Sequence, residues 1–119
     1  MVVSNEPGYY EQGAFGIRIE NLLTLVEADT PHAFNGRTYL GFDPLTHVPI
    51  QRSLLDRSLL TEAEAAWIDA YHAAVWARVS PRLAEGCEGR IWLREATLPL
   101  EDEGAAGAAA QGGVSAVPV

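Results

Sequence analysis

The spacing of apolar residues changes at Thr61, and that change restricts the chain to strands before it and helices after it. Downstream, Ile68, Tyr71, His72, Val75, Val79 and Leu83 recur at intervals of three and four, the period of a helix that buries one face. Thr61 followed by Glu64 is a capping-box pattern, so the helix is expected to start there and to bend or end at Pro81. A second, shorter helix is expected over residues 90–96, burying Ile91, Trp92 and Leu93. Upstream, the apolar residues come in short runs punctuated by Pro and Gly, as in strands. Residues 1–5 read as a strand closed by Pro7-Gly8, and Tyr9, Tyr10 and Gly13 as a connection. Residues 16–27 read as a second, buried strand antiparallel to the first, and residues 39–42 and 48–51 as short strands. From Glu101 the sequence is "EDEGAAGAAAQGGVSAVPV", which has too few large apolar residues to offset the entropy of ordering and is expected to be disordered. The fold class is α+β.

Charge narrows the partners. Sixteen acidic residues against eight basic ones, all arginine, give a net charge of −8. Such a surface repels nucleic acid and anionic membrane and suits a cation. Cys87 is the single cysteine, which excludes an internal disulfide, and no apolar run is long enough to span a bilayer. A reducing, cytoplasmic setting is the expectation.

Two glutamates stand out in the β-rich part. Alternation along a strand puts Arg18 and Glu20 on one face and Ile17 and Ile19 on the other. In an antiparallel hairpin Glu6 comes near the same face. Carboxylates brought together repel unless a proton or a cation intervenes, and a divalent metal or a nearby arginine relieves the repulsion. On spacing alone the plainer reading is favoured, with Glu6 a turn residue and Arg18 and Glu20 a solvated pair. Two glutamates are also too few for a tight metal site.

The segments "VVSNEPGYYEQGAFGIRIEN" and "LGFDPLTHVPIQ" resemble the C-terminal end of the catalytic domain of the Xaa-Pro aminopeptidase (aminopeptidase P) family. This family belongs to the pita-bread group, with methionine aminopeptidase, prolidase and creatinase. The resemblance runs from Met1 to about Pro99, and "GFDPLT" and "WIDAYH" resemble the C-terminal extension of the long, eukaryotic-type subgroup. It implies the C-terminal part of a pita-bread domain over residues 1–38, a short helical extension over 39–99 and a tail over 100–119. It also implies two manganese ions held by two Asp, one His and two Glu. Glu6 then resembles the ligand of a single metal, Glu20 the bridging carboxylate, and Arg18 a residue that orients the site. The implied reaction is hydrolysis of the bond between an N-terminal residue and a following proline, with Glu6 passing a proton to the proline nitrogen. The other three ligands lie upstream in the family pattern, so the chain carries two of five. It is expected to be part of a longer enzyme, inactive and poorly soluble alone, with a homodimer implied for the whole. The alternative reading is a non-catalytic dimerisation or interaction module derived from such an enzyme.

The remaining notable residues read as structural. His32, His47 and His72 match no ligand of the family, Cys87 has no neighbouring base, and Glu62, Glu64 and Asp69 suit a solvated helix face. Trp67, Tyr71 and Trp92 suit a core. Trp76 falls off the buried stripe and is the better candidate for a partner surface. Tyr9 and Tyr10 are candidates for lining the substrate cleft, with at least one of them expected to pack under the turn.

Overall fold

The computed structural model describes residues 1–100, so the expected disordered segment from Glu101 lies outside the described residues. The chain forms two compact units, Met1–Val48 and the part from Pro49 onward.

The first unit is antiparallel β-structure. Its strands are β1 (Val2–Asn5), β2 (Gly8–Glu11), β3 (Phe15–Arg18), β4 (Asn21–Ala28) and β5 (Tyr39–Pro44). β4 lies between β1 and β5 in one sheet, and β2 pairs with β3 in another. The expected strand over residues 16–27 is therefore two strands, divided at Ile19 and Glu20, and the expected connection through Tyr9 and Tyr10 is β2. Pro7 explains the division. It has no N–H to give, so where it faces Ile19 the ladder keeps a single bond, from Ile19 N–H to the Pro7 carbonyl at 3.1 Å. Gly13, at φ 78°, supplies the left-handed residue in the turn between β2 and β3. At the far end Leu22 N–H donates to Thr46 Oγ1 at 2.8 Å and Leu45 N–H to the Leu22 carbonyl at 2.8 Å, which fastens the chain after β5 to β4. No residue of Met1–Val48 is fully buried.

The second unit is helical. α1 (Glu62–Val79) begins at Thr61 with the complete capping box: Glu64 N–H donates to Thr61 Oγ1, and Thr61 N–H donates to the Glu64 carboxylate at 2.8 Å. The Thr61 N–H, and then its hydroxyl, both donating to the carboxylate, hold the Glu64 carboxyl below its usual range. Glu62 and Glu64 are solvent-exposed as expected, Glu64 as a cap and Glu62 paired with Arg57 at 2.9 Å, while Asp69 is half-buried and accepts from Leu100 N–H at 2.9 Å. α1 ends at Val79 and gives way to a single 3-10 turn containing Pro81, as the proline requires. α2 spans Glu88–Ala96.

Two small clusters make the core. Tyr71, Val75 and Leu93 are buried with Ile50, Trp76, Val79 and Leu83 against them; Ala65, Ile68 and Leu100 are buried against Leu55 and Leu60. Only Leu93 of the three α2 residues expected inside is buried, since Ile91 and Trp92 are more than half exposed. A nine-residue helix packed on a single partner buries only a narrow stripe, which Leu93 fills. The expected strand over residues 48–51 is extended but unpaired in the sheets, and two 3-10 turns follow, Arg52–Leu54 and Arg57–Leu59. Pro49 removes a ladder donor there, while His72, fully buried on α1, accepts from Ile50 N–H at 3.1 Å through Nε2. Arg52 donates to the carbonyls of Glu95 and Pro99, closing the C-terminal end of α2.

Candidate metal centre

The register of the first unit decides whether the two glutamates meet. β1 pairs with β4 up to Asn5 opposite Asn21, and β2 pairs with β3 from Gly8 opposite Arg18. Between these ends the Ile19-to-Pro7 bond keeps the same register, so Glu6 stands directly opposite Glu20. Hydrogen-bonded pairs alternate along such a ladder. The bonds at Leu25 to Met1 and Ile19 to Pro7 put Glu6 and Glu20 in the class without mutual hydrogen bonds. Opposed Cα atoms are closest in that class, about 4.5 Å apart, and their side chains project side by side.

Arg18 stands two residues before Glu20 on the same face. Its Nη1 lies 4.0 Å from Glu6 Oε2, with both side chains half-exposed, and its charge is coupled to both glutamates. Its Nε donates to the Tyr10 hydroxyl, and its guanidinium carbon is 5.6 Å from the Tyr10 ring centroid. The Tyr10 hydrogen bond first, and the two glutamates after it, raise the Arg18 pKa further above an already high value, so the residue stays cationic. The ordering matters. The strongest tie of Arg18 is to Tyr10, which holds the guanidinium beside the carboxylates rather than on one of them.

Tyr10 has room to do this because two glycines lie beneath it. A Cβ on Gly16, opposite Tyr10, would come 2.7 Å from Tyr10 Cδ1; one on Gly8 would come 2.8 Å from the Tyr10 hydroxyl and 3.0 Å from Arg18 Cγ. One face of the hairpin therefore carries Glu6, Tyr10, Arg18 and Glu20 over two glycines. The expected site residues Glu6, Arg18 and Glu20 come together on it. Tyr10 is the addition; alternation from Glu6 already puts it on this face, and what the sequence hides is the clearance supplied by Gly16.

Like charges opposed across a ladder destabilise it. The Arg18 ion pair offsets little, being solvent-exposed. Two carboxylates facing each other are hard oxygen donors that suit a divalent cation. Among the described residues, however, no group of three or more His, Cys, Asp or Glu is placed to hold a metal. The donor chemistry fits part of a hard-metal ligand set, with the remaining ligands to come from elsewhere.

Comparison with known proteins identifies the family. The profile of the C-terminal region of peptidase M24 matches residues 38–100. Aminopeptidase P2 of Arabidopsis thaliana is 57% identical over 100 residues, which cover 84% of this chain and 14% of that protein. A probable Xaa-Pro aminopeptidase P of Coprinopsis cinerea is 49% identical over 100 residues, 84% of this chain and 16% of its own. The crystal structure of the X-prolyl aminopeptidase of Caenorhabditis elegans, described as a cytosolic enzyme with a di-nuclear active site, superposes with a TM-score of 0.69 at 41% identity. It covers 82% of this chain and 16% of that one. The chain thus spans about one-sixth or less of the length of these relatives. Antiparallel strands followed by helices are the C-terminal part of the pita-bread aminopeptidase architecture, and the chain belongs to the peptidase M24 family.

Proposed function

We propose that this chain supplies the C-terminal part of a dinuclear manganese aminopeptidase that hydrolyses the bond between an N-terminal residue and a following proline. The observation that carries the reading is Glu6 opposite Glu20 with Arg18 beside both. Residues 1–38 form the end of the catalytic domain and residues 39–99 the family's C-terminal extension. Glu6 and Glu20 would hold the metal ions through their carboxylate oxygens. When bound, the metals supply Lewis-acid activation of water and of the scissile carbonyl. Glu6 takes the proton released on attack and delivers it to the proline nitrogen, which must be protonated to leave. Arg18, fixed by Tyr10, orients the two carboxylates. The cytosol and a homodimer complete the reading; the nematode relative is described as cytosolic, and among the described residues no helix is long and apolar enough to cross a membrane.

The test uses a longer chain that contains the upstream ligands. Glu20→Ala is expected to abolish release of the N-terminal residue from an Xaa-Pro peptide, and near-normal turnover would refute the assignment. Prolidase-type activity is separated by comparing free dipeptides with longer Xaa-Pro peptides; the longer ones are expected to be cleaved. The second reading, a non-catalytic interaction module, is favoured by the missing third ligand among the described residues. Manganese calorimetry on the 119-residue chain is expected to show no tight binding. Tight binding would contradict a two-of-five ligand set.

A further inference from the structure

We propose that Asn35-Gly36, at the tip of the turn between β4 and β5, is a site of spontaneous covalent modification. There the Gly36 amide nitrogen displaces the side-chain nitrogen of Asn35, and the turn becomes an isoaspartyl site that a carboxyl methyltransferase can recognise. This site stands apart from Glu6 and Glu20 and does not depend on the peptidase reading.

The chain has three asparagines, and Asn35 is the one followed by glycine. Asn35 and Gly36 have φ of 54° and 61°, the two left-handed central positions of a type I′ turn. Asparagine tolerates that region better than other side-chain-bearing residues but is still disfavoured in it, so little local energy holds the tip in place. Among the described residues, two hydrogen bonds fasten residues 34–37. Arg37 N–H donates to the Phe34 carbonyl at 3.2 Å, and Phe34 N–H donates to the Tyr39 hydroxyl at 3.0 Å. Neither engages the Asn35 side chain or the Gly36 N–H, the two groups that must meet. Residues 31–38 are all exposed, and a Cβ on Gly36 would meet nothing within 4 Å, so nothing shields the nitrogen from solvent. The other asparagines are held differently. Asn5 and Asn21 face each other in the ladder of β1 and β4, and the nitrogen that Asn21 would need, Leu22 N–H, is bonded to Thr46 Oγ1 at 2.8 Å.

The step balances with water alone. Once the turn opens, Gly36 N gives its proton to solvent and attacks Asn35 Cγ; the Cγ–Nδ2 bond breaks, and that nitrogen takes a proton and leaves as ammonia. The five-membered imide that results is opened by water at either carbonyl, with its nitrogen taking back a proton as the Gly36 amide. Opening at Cγ leaves an aspartyl residue with the main chain unchanged. Opening at the original main-chain carbonyl routes the chain through Cβ and Cγ, an isoaspartyl link one carbon longer that carries a free carboxylate.

The experiment holds the 119-residue chain at mildly alkaline pH and body temperature for several weeks and maps its fragments by mass spectrometry. The fragment with Asn35 is expected to gain the mass that replaces NH2 by OH and to split into two separable isomers, well ahead of the fragments with Asn5 and Asn21. A methyltransferase specific for isoaspartyl carboxylates, given a labelled methyl donor, is expected to label one of those isomers. Gly36→Ala is expected to slow the reaction about tenfold, because a Cβ crowds the attacking nitrogen and narrows its backbone freedom. Since alanine at a left-handed position also disturbs the turn, both chains are compared again in concentrated urea, where the attack alone is read. An unmodified Asn35 in the folded chain overturns the proposal, as does an Asn35 that reacts no faster than Asn5 and Asn21. So does a mass gain that no methyl label follows, or a Gly36→Ala chain that matches the native rate in urea.

Discussion

Gly16 shows how much of the candidate centre depends on an atom that is absent. A methyl group there would overlap Tyr10 at its Cδ1, close to the ring's attachment, where the side chain has little freedom to move aside. Gly16→Ala in the longer chain is expected to displace Tyr10, release Arg18 and lower turnover by an order of magnitude or so, since pre-positioned partners of metal-binding groups typically matter at that level. Unchanged turnover would show that Arg18 is held by something other than Tyr10. His72 offers a different residue-scale test. Burial first, and the Arg52 charge second, push its pKa below the ordinary value near 6.5, while Nε2 must stay unprotonated to accept from Ile50. A depressed pKa means that the folded form binds fewer protons than the unfolded one as pH falls. The helical unit is therefore at full strength above about pH 6.5 and loses stability as pH drops through the folded-state value. Denaturant midpoints at pH 7.5 and 5 are expected to differ in the native chain and to converge in His72→Gln; an equal pH slope in both would remove His72 as the cause.

Among the elements, α1 was the most legible in sequence because its start and its stripe are written in local chemistry. The hydroxyl of Thr61 and the carboxylate of Glu64 need only each other and a helical backbone. Thr61→Ala is expected to cost about 1 kcal/mol, read as a lower melting temperature of the helical signal. Glu64→Gln keeps part of the cap but removes its acid sensitivity, which otherwise appears as the lowered Glu64 carboxyl protonates. The β-hairpin was legible in outline, as an antiparallel pair that brings Glu6 near the face of Glu20, but β2 read as a connection and β3 and β4 as one strand. What sequence did not disclose depends on neighbours far along the chain. Ile91 and Trp92 have apolar side chains like that of Leu93, and only the narrow contact with α1 decides which of the three is buried. Likewise Pro49 and Ile50 sit in an apolar run that reads as a strand, until a buried imidazole on α1 claims the Ile50 amide.

At the scale of the whole molecule, the two units differ in how far they can close on themselves. Among the described residues the helical unit has nine that are buried, while Met1–Val48 has none and exposes Phe15, Phe34, Leu40 and Phe42 to more than half. Such apolar exposure on sheet faces and edges marks surface that a covering layer normally occupies. In the 119-residue chain the amides of β1 to β5 are expected to exchange with solvent far faster than those of α1, and an environment-sensitive apolar dye to bind the β unit. Uniform slow exchange across both units would show that the sheet is stable without cover. The covering layer is also what would bring the missing ligands. Completing the metal centre and completing the β unit's core are then one event, so mutations at Glu6 or Glu20 should change metal content without rescuing the exposed sheet.

Pro7 gives the hairpin an unequal stiffness. Two well-bonded ladders, one on each side, act as rigid arms, and the single remaining bond at Pro7 and Ile19 is the joint between them, one residue away from the facing carboxylates. If Glu6 and Glu20 hold cations as proposed, a joint of that kind lets the spacing of the two oxygen donors follow the size of the cation instead of dictating it. Restoring the missing donor with Pro7→Ala would lock the joint, and a locked joint would trade tolerance among divalent ions for preference for one.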